Sequence, residues 1–282
     1  MLDIKVDDSN AKVPKVTFSK TPFQVHKTTV NVLKQGTGAA VGGNQIAVVN
    51  YTVVNGVNGQ TIANTFNNTH VLIYLKDPTQ FPGLVTALKG AKVGTTETVA
   101  VPPADGFGSQ GNSQYGVSAT DTLIFYINVQ SATTPLPGAS GATVSPQSAF
   151  PTVKMEGTSK PATITVPNSA APKSLESENL INGIGAIVKK GQTIFAQYTG
   201  VIWSNGKVFD STGLRDGLPT GFLVGVGQVI PAWDKVLVDK RVGDRVLMVV
   251  PPADGYGKKG NQHAGISGTD TLVFVIDIVA AV

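Results

Sequence analysis

Two residue types that often carry covalent or metal chemistry, cysteine and histidine, are scarce in this chain. Cysteine is absent, which removes thiolate nucleophiles, disulfides and cysteine metal sites. The three histidines, His26, His70 and His263, lie far apart in sequence, so no histidine metal cluster is expected. Among the other side chains that could take part in chemistry are Asp210 with Arg215 shortly after it, Trp233 just behind Pro231, and Tyr256 between Gly255 and Gly257. Each alone has an ordinary structural meaning: a surface ion pair of small value, a core Trp at helical spacing, a loop anchor. Gathered into one pocket, rings, one carboxylate and one phenol suit chemistry by desolvation and hydrogen bonding, without covalent attack.

That constellation occupies one half of an internally repeated chain. Pro102-Pro103-Ala104-Asp105-Gly106-Phe107-Gly108 recurs as Pro251-Pro252-Ala253-Asp254-Gly255-Tyr256-Gly257, and each copy is soon followed by Gly-Asn, at Gly111-Asn112 and Gly260-Asn261. Tyr51-Thr52 corresponds to Tyr198-Thr199, Val93-Gly94 to Val242-Gly243, and the run from Asp121 to Phe125 to that from Asp270 to Phe274. Such a repeat implies two domains of one fold, and 282 residues suit two cores better than one. Between the copies, residues 131–147 are dominated by Pro, Gly, Ser and Thr, a composition with too little apolar surface to order itself. We expect a domain at 14–131, a flexible linker at 132–148 and a second domain at 149–282. In the leaders, Val16-Thr17-Phe18 with Lys20-Thr21-Pro22 resembles Val153-Lys154-Met155 with Lys160-Pro161-Ala162.

The elements that must position these residues are mostly strands. Alternation puts Ile194, Ala196 and Tyr198 on one face of a strand over 193–200, and Leu272, Phe274, Ile276 and Ile278 on one face of another over 271–278. Residues 245–250 are a short apolar, β-branched run, and Asn205-Gly206 marks a tight hairpin. One helix per copy is predicted. Trp233, Val236, Leu237 and Lys240 follow Pro231 at helical spacing with a stop at Gly243, and Leu84, Ala87, Leu88 and Ala91 do the same before Gly94. The fold class is therefore α+β, a twisted antiparallel sheet carrying one helix on its apolar face.

Composition sets aside several functions. The net charge of +4 is spread out and no basic run is interleaved with aromatics, so nucleic acid is not an expected partner. No apolar stretch approaches the roughly 20 residues of a membrane span; the longest, 273–282, is interrupted by Asp277. Charged residues are 14%, well below the usual quarter, while Gly, Thr, Val and Asn abound, which points to an extracytoplasmic protein, secreted or at a cell surface. Met1-Leu2-Asp3-Ile4-Lys5 lacks the basic and apolar regions of a signal peptide, so either no signal was present or a leader was removed and a Met supplied. No cofactor or metal is implied, and a monomer is expected.

The second copy resembles the FKBP-type peptidyl-prolyl cis-trans isomerases. The resemblance rests on Tyr198-Thr199-Gly200, on the run from Asn205 to Ser211, on Val229-Ile230-Pro231-Ala232-Trp233-Asp234 and on Gly255-Tyr256-Gly257, in that order. It implies two FKBP-like domains, each a five- or six-stranded antiparallel sheet wrapped around a short helix, with a prolyl pocket between. It further implies that Trp233 is the pocket floor and that Tyr198, Phe209, Ile266 and Phe274 are its walls. Val229 and Ile230 match the rim, with the Ile230 N–H bonding a substrate carbonyl, Tyr256 matches a hydroxyl donor, and Asp210 matches a buried carboxylate held by Tyr198 and Arg215. Rotation about a prolyl peptide bond faces about 18–20 kcal/mol because amide resonance is lost. A dry aromatic pocket with placed donors lowers that barrier without a nucleophile.

The sequence also departs from that pattern. Thr220 stands after Pro219 where an aromatic wall is usual, in a loop with Gly213, Gly217 and Gly221, so a more open wall is expected. An insertion after Tyr256 leaves Gln262 and His263 as alternatives for one rim position. In the first copy Phe209 becomes Ile62, Asp210 becomes Ala63, Trp233 becomes Leu84 and Tyr256 becomes Phe107, while Tyr51, Phe125 and Val117 remain. The expected function is a prolyl isomerase that assists the folding of exported proteins through its second domain, acting on proline-containing polypeptides and possible to inhibit with macrolides. The competing reading is a non-catalytic binding module for proline-containing segments or surface partners.

Overall fold

Ile46–Asn55 and Thr193–Ile202, rich in Val, Ile and Thr, are the long strands on which the two halves are built. The computed structural model describes residues 3–67, 70–147 and 150–282, and the chain divides into two units, Met1–Thr134 and Pro135–Val282. The expected boundary at 148/149 falls outside the described residues.

The first unit begins with a hairpin of β1 (Ile4–Asp7) and β2 (Lys15–Phe18). Its main sheet runs in the order β3 (Thr29–Lys34), β7 (Thr96–Val101), β8 (Leu123–Thr133), β4 (Ile46–Asn55), β5 (Thr61–Asn64), with β6 (Val71–Tyr74) also paired to β4. Helix α1 (Pro82–Leu88) crosses one face and buries Leu84, Ala87 and Leu88 against Val49, Val99, Phe125 and Ile127. The hairpin covers the other face, where Ile4 and Val16 pack on Val54, Ala100, Ile124 and Tyr126.

The second unit repeats this plan with one addition. Its sheet is β14 (Val208–Ser211), β13 (Thr193–Ile202), β17 (Leu272–Ala281), β16 (Arg245–Val250), β12 (Glu176–Gly183), β9 (Gly141–Thr143), with β15 (Thr220–Leu223) on β13. Helix α2 (Pro231–Leu237) seals one face through Ala232, Trp233 and Leu237, and the hairpin β10 (Thr152–Lys154) with β11 (Thr163–Thr165) covers the other through Ile164. Covering both faces explains why β13 and β17 are buried almost throughout. All strand pairs are antiparallel, and the fold is α+β as expected.

Four expectations need correction. The segment expected to be a flexible linker supplies β9 to the second sheet, and its Leu136 N–H donates to the Val279 carbonyl at 2.9 Å. Main-chain pairing at a sheet edge orders a segment whose side chains could not. The first unit starts before residue 14, because β1, four residues long and too short for a periodic signal, pairs with β2. The leaders also match differently, since the second hairpin strands are Lys15–Phe18 and Thr163–Thr165, so Val16 corresponds in packing to Ile164 and not to Val153.

The helices, finally, are only seven residues long, so Lys240 and Ala91 lie beyond them. After Leu237 the chain turns extended, Asp239 takes φ +68° and its N–H donates to the Val188 carbonyl at 2.9 Å. Gly90, at φ +90°, makes the matching bond to Val41 at 2.9 Å. Capture by a neighbouring segment ends each helix before its glycine stop. Helices this short depend on packing, and Pro82 and Pro231 help by pre-setting the first turn.

Candidate functional site

The first turn of α2 points Trp233 into the sheet, where it meets three rings edge-on. Tyr198 of β13 lies 5.5 Å away, Phe222 of β15 4.7 Å and Phe274 of β17 5.6 Å, centroid to centroid. Phe209 of β14 extends the cluster against Phe274 at 5.4 Å. These strands are neighbours of β13, so residues separated by up to about 75 positions converge on one cavity of about 510 Å³. Tyr198, Phe209, Asp210, Phe222, Gln228, Val229, Ile230, Pro231, Trp233, Gly255, Tyr256 and Phe274 line it.

Eight of the ten residues expected at the site therefore share the cavity wall. Ile266 does not. It is only 4% exposed, packs in the core cluster behind the cavity with Phe274 and Tyr256, and its carbonyl accepts from Asn261. Arg215 also stands outside the wall, where it acts on Asp210. Its Nη1 donates to Asp210 Oδ1 at 2.7 Å and its Nη2 to Tyr198 Oη at 3.1 Å, while Tyr198 Oη donates to Asp210 Oδ2.

The Asp210 carboxylate, expected to be buried, is 37% exposed, and Arg215 is 52% exposed. A pair this wet contributes at most about 1 kcal/mol to stability. What it does is hold one carboxylate oxygen and the Tyr198 ring in fixed positions at the cavity edge.

The expected open wall at Thr220 is closed by Phe222. The two residues lie on the same face of β15, and Phe222, paired in register with Ile194, reaches both Tyr198 at 5.7 Å and Trp233. An aromatic two positions after Thr220 was the signal. Gln262 and His263 belong to a single 3₁₀ turn capped by Asn261, and neither lines the cavity.

Asp234 follows Trp233 on α2. Its carboxylate accepts from the Gly225 and Gly227 N–H groups, both at 2.6 Å, and so fixes the loop that leads to Gln228, Val229 and Ile230. Both glycines sit at φ near +80°, which a side chain would strain. Asp234→Ala is expected to free this rim and raise KM for a prolyl peptide about tenfold, equivalent to about 1.4 kcal/mol, with kcat nearly unchanged. Steady-state kinetics beside a thermal melt checks this.

Electrostatics favour donors in the cavity. Burial pushes the Tyr256 hydroxyl above its ordinary value, and burial together with the Asp210 carboxylate does the same to Tyr198, so both remain protonated O–H groups at neutral pH. Among the described residues, the Ile230 N–H donates to no backbone carbonyl. The Trp233 indole N–H is buried without a partner among the described residues.

The matching region of the first unit is built differently. Tyr51 and Phe125 still meet edge-on at 5.5 Å, but Ile62, Ala63 and Leu84 stand where the second unit has Phe209, Asp210 and Trp233. Phe81, at the position of Ile230, contacts Phe107 at 4.8 Å, and Phe107 stacks on Tyr115 at 6.2 Å. Aromatic carbon thus spans what is the cavity mouth in the second unit.

An antiparallel sheet wrapped on one short helix, with an aromatic cavity over the helix's first turn, defines a domain shaped to hold a small apolar ring. The model of the FKBP-type peptidyl-prolyl cis-trans isomerases matches residues 38–130 and 185–279, and the chain belongs to this family. It is similar to the FK506-binding protein of Streptomyces anulatus, 35% identical over 117 residues that make up 42% of this chain and 94% of that protein. It is also similar to FK506-binding protein 2 of Aspergillus oryzae, 39% identical over 90 residues, 32% of this chain and 65% of that one. Among solved structures, the three FKBP domains of wheat FKBP73 align with 90% of this chain and 94% of their own at 20% identity and a TM-score of 0.35. AtFKBP13 aligns with 40% of this chain and 98% of its own at 33% identity and a TM-score of 0.36.

Proposed function

We propose that the second unit carries the prolyl isomerase activity and that the first unit has lost it. The observation behind this reading is the convergence of Trp233, Tyr198, Phe209, Phe222 and Phe274 with Asp210 and Tyr256 around one cavity, against Leu84, Ile62, Ala63 and Phe107 in the first unit. The proline ring rests on Trp233 between Phe209, Phe222 and Phe274, out of water. Loss of water removes solvation that favours the planar, charge-separated amide. The Ile230 N–H and the Tyr256 hydroxyl bind the flanking carbonyls, and the chain twists about the C–N bond with no bond made or broken. Asp210, held by Arg215 and Tyr198, faces the rotating amide, where its fixed charge acts on the changing dipole. Val229 shapes the rim beside Ile230.

The substrates in this reading are proline-containing segments of exported proteins, met outside the cytoplasm, and the low fraction of charged residues supports that setting. Macrolides such as the FK506 named for the relatives are candidate inhibitors of the same cavity, because Phe222 restores the aromatic wall. In the described residues no helix is long and apolar enough to cross a membrane. Titrating the full chain with a Leu-Pro tetrapeptide and following backbone amides by NMR tests the assignment. Shifts are expected at residues 229, 230, 232, 233, 210 and 256. Equal shifts at residues 81, 83, 84 and 107 would contradict it.

A further inference from the structure

The two units also differ at one edge of their sheets. In the second unit, β9 adds beyond β12, with Thr143 opposite Ile181 and Ala142 opposite Asn182. The surrounding segment is held by its main chain. Ala139 donates to Asp277 Oδ2 at 3.0 Å, Ser140 to the Gly243 carbonyl at 2.9 Å and Val144 to the Leu180 carbonyl at 2.9 Å. Thr143, Val144 and Pro146 then line a cleft of about 330 Å³ with Leu180, Ile181 and Arg245.

The first unit has the matching receptor. The irregularity between Val32 and Lys34, opposite Glu97 and Thr96, repeats that between Asn179 and Ile181, opposite Val246 and Arg245. This register makes Leu33 and Lys34 the counterparts of Leu180 and Ile181, and Thr96 that of Arg245. Asn128, opposite Thr96, then matches Asp277, opposite Arg245. Among the described residues no strand adds beyond β3, which ends its sheet, and Val32 and Leu33 are 47% and 46% exposed.

The cleft beside this edge is also larger. Leu33, Lys34, Thr96, Asn128, Phe66 and Tyr126 line about 820 Å³ there together with the N-terminal residues, Lys5 and Asp8 among them, and Phe66 stacks on Tyr126 at 5.4 Å. In the second unit the floor is filled by the two-pronged Arg245–Asp277 pair, both contacts 2.7 Å; Thr96 and Asn128 leave that space open. Tyr126 and Asn128 alternate along β8 with Phe125 and Ile127, so the cleft lies on the opposite face of the sheet from the helix.

An open sheet edge with exposed apolar side chains is a template for an incoming strand. We propose that this cleft binds an extended, uncharged polypeptide segment rich in small residues and proline, by strand addition along residues 33–36. The chain itself shows the chemistry that fits, because it seats the segment around β9, of that composition, on the equivalent edge of the second unit. The first unit thereby has a binding role independent of any prolyl pocket.

The test uses the full chain and a labelled peptide with the sequence of residues 134–147. Backbone amide shifts are expected at residues 33–36, 96 and 128. Leu33→Asp and Gln35→Pro, both at exposed positions, should each weaken binding at least tenfold while prolyl isomerase activity and the melting profile stay as in the wild type. Shifts confined to residues 176–183, or no binding at millimolar peptide, would overturn the proposal. So would a concentration-dependent dimer in sedimentation that Leu33→Asp abolishes, since the occupant would then be a second copy of the chain.

Discussion

Trp233→Leu in the full chain is expected to lower kcat/KM for a prolyl tetrapeptide by about a hundredfold, equivalent to about 2.7 kcal/mol of transition-state stabilisation. The substitution writes Leu84 of the first unit into the second. It removes the surface that Tyr198, Phe222 and Phe274 brace from three sides and lets water into the proline position. The first unit packs a Leu on the same helix turn, so the variant should fold, and its melt verifies this. Asp210→Val should fall mainly in kcat, by about tenfold, because the carboxylate acts on the rotating amide more than on ground-state binding. If Trp233→Leu retained wild-type turnover, the floor assignment would be wrong.

The second large effect concerns stability. Glu97 of β7 is 1% exposed, lies opposite Val32 and Ile127, and its Oε1 has no hydrogen-bond partner among the described residues. Burial raises its pKa from 4.5 to about 7. A folded-state value above the unfolded one means that the folded unit holds the proton more tightly. The Glu97 contribution to the stability of the first unit is therefore greatest below about pH 4.5, declines as pH rises through 4.5 to 7, and levels off above. At about 1.4 kcal/mol per pH unit, the loss is on the order of 3 kcal/mol. Glu97→Gln should flatten this dependence, measured as the denaturation midpoint of the first unit against pH. An unchanged slope would show that Glu97 is not its source. The second unit has Val246 at this position and should lack the effect.

Much of this architecture is legible in the sequence because the chain states it twice. The repeated Pro-Pro-Ala-Asp-Gly motif and the alternation around Tyr198 and Phe274 are local patterns, and both are strands or turns where expected. The Asn205-Gly206 turn is similarly plain, with Gly206 at φ +67° and its N–H bonded to the Ile202 carbonyl at 2.8 Å. What the sequence does not reveal depends on tertiary pairing. Residues 141–143 have no apolar pattern and become a strand only because β12 offers an edge. The helix over Trp233 stops at Leu237 because Val188 captures the next segment. Phe222 takes over a wall expected to be open at Thr220, since β15 presents both residues on one face and only the sheet register decides which one reaches Trp233. Exposure of Asp210 has the same origin, because nothing local reveals that β14 is an edge strand.

The central claim is that catalysis belongs to one unit of a repeated pair. The most direct measurement is the rate of cis-trans exchange of a prolyl peptide, read by two-dimensional exchange NMR, with the whole chain, residues 135–282 and residues 1–134 at equal concentration. Residues 135–282 should match the whole chain within about twofold, and residues 1–134 should leave the uncatalysed exchange, tens to hundreds of seconds, unchanged. Comparable acceleration by residues 1–134, or an inert but folded 135–282 fragment, would contradict it.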